Sequence, residues 1–279
     1  MTYQSLRLSI EAGIAHLELN RPDKLNAMNI DFWRELPEAV RTLDAEASAR
    51  VIVISGAGRM FTAGMDLSVF MNPVVNLTTG EEGRRKEHFR RLILQLQDTF
   101  TALETIRIPV LTAVHRGCIG AGLNLITAAD CRYATEDAYF SVKETQLGMT
   151  ADVGVLQRLP KVIPEGMARE LAYTGRKLPA DEALRCGLVN AVYPDKETMM
   201  EKVMATARQI AANSPLAVAG TKEMINFARD HSVADSLKYM ATWQSGMFQP
   251  AEMAITFQAS ARKEEPEFEE LRPVKPPLT

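Results

Sequence analysis

The sequence predicts an α/β fold that continues into a helical C-terminal portion. Short apolar runs typical of strands covered on both faces, such as Val51 to Ile54, alternate with amphipathic helical patterns in the first two thirds of the chain. After Pro194, four helical patterns follow one another with no strand pattern between them. We therefore expect a core over residues 1–194 and a helical region over residues 195–279.

The composition is that of a soluble globular protein. The chain has 279 residues, of which 46% are hydrophobic and 24% charged, so it is long enough to bury a large core. Its net charge of −3 gives no electrostatic reason to expect a nucleic acid or an anionic membrane surface as a partner. No apolar run reaches the ~18 residues of a membrane span, and the N-terminal sequence has no secretory pattern.

Cysteines and histidines give no sign of a metal site. The cysteines have neither zinc-site nor disulfide-framework spacing, and the histidines are scattered away from carboxylate clusters. We therefore expect no metal and a reducing compartment, by default the cytoplasm. The residues concerned are Cys118, Cys131, Cys186, His16, His88, His115 and His231.

Common nucleotide and hydrolase motifs are excluded. Gly56-Ala57-Gly58 follows a strand pattern, but Phe61 stands where the dinucleotide-binding fingerprint needs a glycine or an alanine. The sequence also lacks the glycine-lysine-serine/threonine triplet of a P-loop and the Gly-x-Ser-x-Gly elbow of α/β-hydrolases.

The first elements are predicted as a β-hairpin and a helix. Apolar residues alternate from Leu6 to Leu19 around the turn Ala12-Gly13, which is typical of a hairpin. Asn29 is a suitable N-cap for a helix that runs through Asp44, and Pro37 is expected to kink that helix.

Two loops and a long helix come next. A loop from Asn20 to Met28 precedes the first helix, and a second loop from Ser55 to Leu67 follows the apolar strand. Residues 68–83 are irregular and predict a mobile flap over a pocket. Apolar residues recur at three- and four-residue steps from Arg84 to Ile106, which predicts one long amphipathic helix.

The glycine-rich turn from Gly117 to Gly122 is the most informative feature. It follows a strand pattern, Pro109 to Val114, and leads into a helical segment, Leu123 to Ala129. Backbone N–H groups at a helix start have no partner within the helix, and the helix dipole favours a negatively charged oxygen beside them. An oxyanion hole requires this arrangement.

Two carboxylates follow this turn. Glu144 and Asp152 are eight residues apart with Gly148 between them, so the chain can bend and present both acids to one pocket. Two such carboxylates can take and return protons. Asp152 would equally serve as the N-cap of the helix that follows it. Short helices and a strand are expected at Val153 to Leu159, Glu165 to Tyr173, Ala180 to Arg185 and Leu188 to Tyr193.

The C-terminal helical patterns carry more apolar residues, including Trp243 and Phe257, than peripheral helices need for themselves. We expect this surface to be buried against another subunit. Residues 264–279 are rich in charge and proline and predict a loosely held tail. The helices are expected near Lys196 to Ala212, Pro215 to Asp230, Val233 to Met247 and Ala251 to Lys263.

Three motifs in sequence order resemble the crotonase family, also called the enoyl-CoA hydratase/isomerase superfamily. They are N-R-P-x-K-x-N-A at Asn20 to Ala27, A-G-x-D-L at Ala63 to Leu67, and the glycine-rich helix start. The resemblance implies a spiral of ββα turns and a helical trimerisation region, giving a homotrimer or a dimer of trimers. It also implies an acyl-CoA thioester substrate, with coenzyme A as part of the substrate and no separate cofactor.

The resemblance also implies the contacts of the thioester. Two backbone N–H groups, which map to Met65 and Ala121, would hold its oxygen as it becomes an enolate. Asp66 would fix its own loop, and Lys24 either meets the nucleotide end of coenzyme A or is simply exposed. Arg262 and Lys263 could reach phosphates in a neighbouring subunit or end a solvated helix. The expected substrate contacts are Lys24, Leu25, Ala27, Thr62, Ala63, Gly64, Asp66, Leu67 and Gly122.

The acid positions favour one branch of the family. Hydratases use two glutamates, which map to Asn124 and Glu144, and asparagine cannot ionise. The segments from Val142 to Gly154 and from Arg229 to Leu237 look like those of Δ3,5-Δ2,4-dienoyl-CoA isomerases. That resemblance implies that Asp152 acts at C2 and Glu144 at C6 of a dienolate.

Asn124 departs from this branch, which usually has an aspartate at the same place. Three other functions therefore remain open: 2-enoyl-CoA hydration, Δ3,Δ2-enoyl-CoA isomerisation, and binding of acyl-CoA or RNA without turnover. The retained pair Glu144 and Asp152 and the weak net charge argue against the last.

Overall fold

The computed structural model describes residues 3–69, 71 and 80–274. Most of the predicted flap over residues 68–83 lies outside the described residues. In the part that is described, no helix combines the length and apolarity needed to cross a membrane.

Two β-sheets form the centre of the described structure. The main sheet has the order β1-β2-β3-β4-β6-β9, and its strands pair in parallel except for the antiparallel hairpin β1-β2. The smaller sheet has the order β5-β7-β8. The strands are β1 Leu6–Glu11, β2 Ile14–Leu19, β3 Val51–Gly56, β4 Val110–Val114, β5 Gly117–Ile119, β6 Cys131–Thr135, β7 Tyr139–Ser141, β8 Leu178–Pro179 and β9 Ala191–Tyr193.

Helices cover both faces of the main sheet and make up the C-terminal part of the chain. They are α1 Ile30–Glu46, α2 Glu82–Thr105, α3 Ala121–Thr127, α4 Val155–Val162, α5 Glu165–Thr174, α6 Ala180–Arg185, α7 Lys196–Ala211, α8 Pro215–Asp230, α9 Val233–Met247 and α10 Pro250–Arg262.

The position of strand β3 between two cores explains why its first four residues, Val51 to Ile54, are all apolar. Ile52 and Ile54 belong to the large core that includes residues of α1, α2 and α3, whereas Val51 and Val53 pack with α7 on the opposite side. Successive side chains of a strand point to opposite faces, so a strand covered on both sides needs apolar residues at every position. The sheet is therefore a rigid support whose strand ends carry the loops described below.

Several sequence predictions are confirmed. The hairpin forms, and the side chain of Asn29 accepts a hydrogen bond from Phe32 N at the start of α1. Pro37 lies inside α1, which continues past it to Glu46, and the kink expected at Pro37 stays a prediction. The long helix α2 and the C-terminal helices lie close to their expected bounds. The division at residue 194 stays a prediction, since α7 belongs to the second region by sequence but packs on the sheet.

The glycine-rich turn and the segment after it contain strands that the sequence analysis did not predict. Gly117–Ile119 is the short strand β5 and pairs with Tyr139–Ser141, while Cys131–Thr135 pairs with β4 in the main sheet. These strands have only three to five residues, too few for a clear alternation of apolar and polar positions.

The expectation of a loosely held tail was wrong for residues 264–274. Val274 N donates to Ala45 O at 2.7 Å, and the Arg50 guanidinium pairs with Glu270 at 2.7 Å and donates to Phe268 O at 3.0 Å. One ion pair and several backbone hydrogen bonds therefore attach this segment to the rest of the protein. Residues 275–279 lie outside the described part of the chain.

Lys222 attaches α8 to the core. Its buried ammonium group donates to Leu103 O at 2.7 Å and to Ile108 O at 2.9 Å, and it pairs with Asp130 at 2.9 Å. A buried ammonium is stable only when its hydrogen bonds are satisfied, and here three acceptors from the core satisfy it. The C-terminal helices therefore start from a fixed position on the sheet.

Candidate active site

Two backbone segments meet at the end of the main sheet. Thr62 N donates to Gly117 O at 3.0 Å and Ile119 N donates to Thr62 O at 3.3 Å, so the loop after β3 runs parallel to β5. A Cβ atom added to Gly64 would lie 2.6 Å from Ile119 O and 3.5 Å from Ala121 N. The loop therefore passes directly beside the start of α3.

The N–H groups of Met65 and Ala121 lie in these two segments, as the sequence analysis expected for an oxyanion hole. Ala121 is the first residue of α3, where an N–H has no acceptor within the helix, and the N-cap Gly120 has no side chain to supply one. Within the described residues, neither of the two N–H groups donates to a protein acceptor. Both are therefore free to hold an oxygen of a bound ligand.

Asn26 holds the loop after β3 by hydrogen bonds. The sequence placed Asn26 in the first motif but did not indicate these bonds. Its buried side-chain amide donates to Ala57 O at 2.7 Å, Met60 O at 2.9 Å and Phe61 O at 3.1 Å. Thr62 Oγ1 donates to Asn26 O at 2.7 Å. One residue thus satisfies several backbone groups that would otherwise be buried without partners.

Thr62 and Gly122 are in direct contact across the site. Thr62 Oγ1 accepts a hydrogen bond from Gly64 N at 3.0 Å, which holds the peptide group between Ala63 and Gly64, one residue before Met65 N. A Cβ atom on Gly122 would lie 2.4 Å from Thr62 Cγ2, so only glycine lets α3 approach the loop this closely.

Asp66 fixes its own loop, as expected. It pairs with Arg21 at 2.9 Å and accepts a hydrogen bond from Ser68 N at 3.0 Å. The hydrogen bonds from Ser68 and Arg21 hold the pKa of the Asp66 carboxyl below its usual value. Asp66 therefore stays ionised and structural rather than exchanging protons.

The remaining expected substrate contacts lie along two adjoining loops. Ala63 N donates to Leu25 O at 2.9 Å, and Met28 N donates to Gly64 O at 2.8 Å, so the first two motifs run side by side. Lys24 and Leu67 are exposed, and Ala27 is half-buried. Arg262 and Lys263 lie exposed at the end of α10.

Glu144 is a buried acid that opens a short 3-10 turn, Glu144–Leu147. Its Oε1 accepts a hydrogen bond from Asn124 Nδ2 at 3.1 Å, whereas its buried Oε2 has no hydrogen-bond partner among the described residues. Burial raises the pKa of the Glu144 carboxyl, the charge of Asp152 raises it further, and the bond from Asn124 opposes this shift.

Asp152 is half-buried, and burial raises the pKa of its carboxyl as well. Its backbone oxygen accepts a hydrogen bond from Gln97 Nε2 at 2.7 Å. The interpretation of Asp152 as a helix cap was wrong, because α4 begins at Val155 with Gly154 at its N-cap. The charge of Asp152 also raises the pKa of Glu144, so the two carboxyls are close enough to interact electrostatically.

Asn124 connects three elements from a fully buried position in α3. Its Nδ2 donates to Gly120 O at 3.1 Å and to Glu144 Oε1 at 3.1 Å. Its Oδ1 accepts a hydrogen bond from Val155 N, the first N–H of α4, at 2.5 Å. Sequence reasoning placed Asn124 near Glu144 but gave no indication of the bond to α4.

No group of three or more histidine, cysteine, aspartate or glutamate side chains is arranged to hold a metal ion in the described residues. The site therefore offers two acids with raised pKa values and two free N–H groups. That combination suits proton transfer next to a carbonyl group whose oxygen becomes negative.

A family model described as enoyl-CoA hydratase/isomerase matches residues 9–272. The chain belongs to the enoyl-CoA hydratase/isomerase family. Solved structures of the family share its fold, which confirms the predicted crotonase-like α/β class. The enoyl-CoA hydratase of Bacillus anthracis has a TM-score of 0.84 at 29% identity, covering 98% of this chain and 100% of that one. The enzyme of Mycobacterium tuberculosis H37Rv has a TM-score of 0.81 at 30% identity, covering 95% and 98%.

Relatives of the dienoyl-CoA isomerase type are more similar in sequence. The mitochondrial Δ(3,5)-Δ(2,4)-dienoyl-CoA isomerase of Homo sapiens is 46% identical over 266 residues, covering 95% of this chain and 81% of the relative. The peroxisomal enzyme of the same name from Arabidopsis thaliana is 40% identical over 271 residues, covering 97% and 98%. A short-chain-enoyl-CoA hydratase of Clostridium acetobutylicum is 32% identical over 229 residues, covering 81% and 82%.

The expectation of a cytoplasmic location was wrong, because these isomerase relatives are mitochondrial or peroxisomal. Cysteines without disulfide spacing and an N-terminal sequence without a secretory pattern led to that expectation. Enzymes of several compartments share both properties, so neither identifies the cytoplasm.

The contact at Gly64 predicts the effect of adding one methyl group. Gly64→Ala should displace Met65 N or Ala121 N and lower kcat for an acyl-CoA substrate by about 10²-fold or more, the usual effect of losing one oxyanion donor. The matched control is Gly187→Ala, which also has positive φ (+84°) but whose added Cβ would have its nearest neighbour at 3.8 Å. Steady-state kinetics on both variants, with folding checked by circular dichroism, measures the difference. Unchanged kcat in Gly64→Ala would exclude the two N–H groups as the oxyanion hole.

Proposed function

We propose that this enzyme converts a 3,5-dienoyl-CoA into the 2,4-dienoyl-CoA, as the names of relatives at 40–46% identity describe for those proteins. The observation that supports the proposal is the pair Glu144 and Asp152: both carboxyls are partly or largely buried, burial raises both of their pKa values, and the charge of Asp152 raises the pKa of Glu144 further. Such a reaction moves two double bonds and needs protons exchanged at two separate carbons. Two acids in one pocket meet that need.

Asp152 starts the reaction by taking a proton from C2, which breaks a C–H bond and leaves its electron pair in a dienolate. The negative charge spreads from the thioester oxygen along the conjugated system to C6. The N–H groups of Met65 and Ala121 stabilise the oxygen. Glu144 then gives its proton to C6, and the electron pair of the dienolate forms the new C–H bond. Both acids return to their starting state by exchanging one proton with solvent.

The surroundings of Glu144 support its role as the proton donor. Burial and the nearby Asp152 charge both raise the pKa of Glu144, so its protonated form persists to higher pH than that of an exposed glutamate. Turnover should therefore fall as pH rises and Glu144 loses its proton. It should also fall at low pH, where Asp152 is protonated and cannot act as a base.

Asn124 argues against hydration as the main reaction. Hydratases of this family use two ionisable acids, and Asn124 at one of these places can neither take nor release a proton. The proposed isomerisation adds no water, so it does not need an acid at this position. Hydration and the Δ3,Δ2 shift of a monoene are the alternatives that the assay below distinguishes.

The coenzyme A portion of the substrate would enter along the two adjoining loops. Exposed Lys24 lies beside half-buried Leu25 and Ala27, on the loop paired with Ala63 and Gly64. An exposed ammonium suits a phosphate group. In this proposal coenzyme A is part of the substrate, and no separate cofactor takes part.

We also propose that the enzyme is a homotrimer or a dimer of trimers. Helix α9 has no buried residue, and Leu237 on α9 is 64% exposed while Phe257 on α10 is 66% exposed. Residues of α8, α9 and α10 line a largely apolar cavity of about 960 Å³. Exposed apolar surface on this scale is typical of a surface buried by another subunit.

Light scattering after size-exclusion chromatography tests this assembly. The wild-type protein should have the mass of three or six chains, and the double variant Leu237→Glu/Phe257→Glu should shift toward the single chain, because charges are costly in an apolar interface. The control Ile10→Glu changes an exposed residue of β1 outside these helices and should leave the mass unchanged. A monomeric wild-type protein would contradict the proposal.

An ultraviolet assay tests the reaction, with a 3,5-dienoyl-CoA, a Δ3-enoyl-CoA and a 2-enoyl-CoA in parallel. The proposal predicts growth of the 2,4-dienoyl absorbance from the first substrate at a kcat/KM well above those of the other two. Loss of conjugation from the 2-enoyl-CoA as the fastest reaction would establish a hydratase instead. A dominant reaction of the Δ3-enoyl-CoA would establish a monoene isomerase.

The same assay assigns the acids. Glu144→Gln and Asp152→Asn should each lower kcat by about 10²-fold or more, because each removes one proton-transfer group. Both should leave the dissociation constant of a CoA ester within a few-fold of wild type, since uncharged amides keep the shape of the pocket. Wild-type turnover in either variant would remove that residue from the mechanism.

A further inference from the structure

Asn124 is the place where this chain departs from its branch of the family, and both polar atoms of its side chain are engaged. We propose that Asn124 is a positioning residue that directs the proton of Glu144 to Oε2 and fixes the start of α4 just behind Asp152. This inference rests on the proposed function, because it concerns the same two acids.

The orientation of the Asn124 amide follows from its neighbours. Val155 N is a donor, so the atom facing it must be the amide oxygen. Gly120 O is an acceptor, so the atom facing it must be the amide nitrogen. The amide cannot be turned over without losing both hydrogen bonds in a buried place, where each lost bond is costly.

This fixed orientation decides which oxygen of Glu144 carries the proton. Oε1 faces an N–H donor of Asn124, so a proton on Oε1 would point at another proton. Oε2 is buried and has no hydrogen-bond partner among the described residues, so it is the oxygen that can hold a proton and release it to a substrate carbon. Asn124 therefore makes the two oxygens of the Glu144 carboxyl inequivalent, so that only Oε2 carries the proton that is donated to the substrate.

The side-chain amide of Asn124 also fixes the backbone that follows Asp152. Its oxygen holds Val155 N, which follows Asp152 by three residues, while Gln97 Nε2 holds the backbone oxygen of Asp152 from α2. The intervening Gly154 has φ of +121°, a backbone conformation that favours glycine. The backbone from Asp152 to Val155 is thus held at its two ends by side-chain amides, and one of these, that of Asn124, also binds Glu144.

An aspartate at this position could not make the same contacts in its ionised form. One oxygen could still accept from Val155 N, but the other would face Gly120 O and Glu144 Oε1, both of which are acceptors. The aspartate would have to bind a proton of its own, or its charge would repel that of Glu144. Either way, the pair would hold protons more tightly than Glu144 does beside asparagine.

Infrared titration of Asn124→Asp, without substrate, tests this inference. The C=O bands of the protonated carboxyls at positions 124 and 144 are identified as the bands that Glu144→Gln removes and Asn124→Asp adds, and their summed intensity is followed against pH. Compared with wild type, the midpoint in Asn124→Asp should move up by about one pH unit or more, a roughly tenfold higher proton affinity. The high-pH limb of kcat for the dienoyl substrate should move the same way, with KM unchanged.

The control is Thr127→Val, in the same helix. Thr127 is buried, but its hydroxyl donates only to Leu123 O at 2.9 Å and Asn124 O at 3.0 Å and does not reach Glu144. The midpoint of the infrared titration in Thr127→Val should equal that of wild type. Equal midpoints in wild type and Asn124→Asp would overturn the inference. Because the titration needs no substrate, this failure is distinct from failure of the proposed function, which the ultraviolet assay reports.

Melting temperature against pH provides a second, independent measurement on Asn124→Asp, and it does not depend on assigning an infrared band. A carboxyl pair whose pKa is raised by folding contributes stability at low pH and loses it as pH rises. The melting temperature of Asn124→Asp should therefore fall below that of wild type as pH increases from about 4, and adding Glu144→Gln should remove most of this pH dependence. A constant difference at all pH values would mean that residue 124 has only a packing role.

Discussion

The close approach of two backbone segments is the constraint on which the site depends. The loop at residues 62–65 lies against residues 117–122 so tightly that Gly64 would clash with Ile119 O, and Gly122 with Thr62, if either carried a side chain. This packing brings the N–H groups of Met65 and Ala121 together without a side chain between them. The sheet, the Asn26 network and the Arg21–Asp66 pair all hold this contact in place.

Burial then gives the two acids their chemical character. An exposed glutamate is almost fully ionised at neutral pH, but Glu144 lies in a low-dielectric place next to another carboxylate, and both effects favour its protonated form. The backbone N–H groups of Glu144 and Lys143 and the side-chain amide of Asn124 oppose this shift by hydrogen bonding. With these opposing effects on its pKa, Glu144 can release its proton to a substrate carbon and take up another proton from solvent. A fully satisfied carboxylate such as Asp66 could not do so.

The sequence predicted correctly those helices and strands whose apolar residues recur with a regular period over many positions. The hairpin, the strand β3, α2 and the C-terminal helices follow from periodicity, and the glycine-rich helix start follows from Gly120 and Gly122. The spacing of Glu144 and Asp152 about Gly148 predicted two acids for one pocket, and the motifs that resemble the family added Met65 and a role for each acid. Each of these predictions depends on residues that are close in sequence or on a known pattern.

Contacts between distant residues could not be predicted in this way. The short strands β5 to β8 form through pairing with distant partners, and the tail is held by Arg50, which is 220 residues from Glu270. Asn26 and Asn124 are ordinary polar residues in sequence, and only the folded chain surrounds them with buried carbonyl and N–H groups. The compartment was predicted wrongly because composition carries little information about it.

The central claim is that two acids act at two different carbons, and deuterium labelling tests it most directly. In heavy water, the wild-type enzyme should form 2,4-dienoyl-CoA with solvent deuterium at C6. Glu144→Gln should still exchange the C2 protons of the substrate through Asp152 but place no deuterium at C6, and Asp152→Asn should lose both processes. Loss of C2 exchange in Glu144→Gln, or C6 labelling that survives it, would contradict the assignment of the two acids.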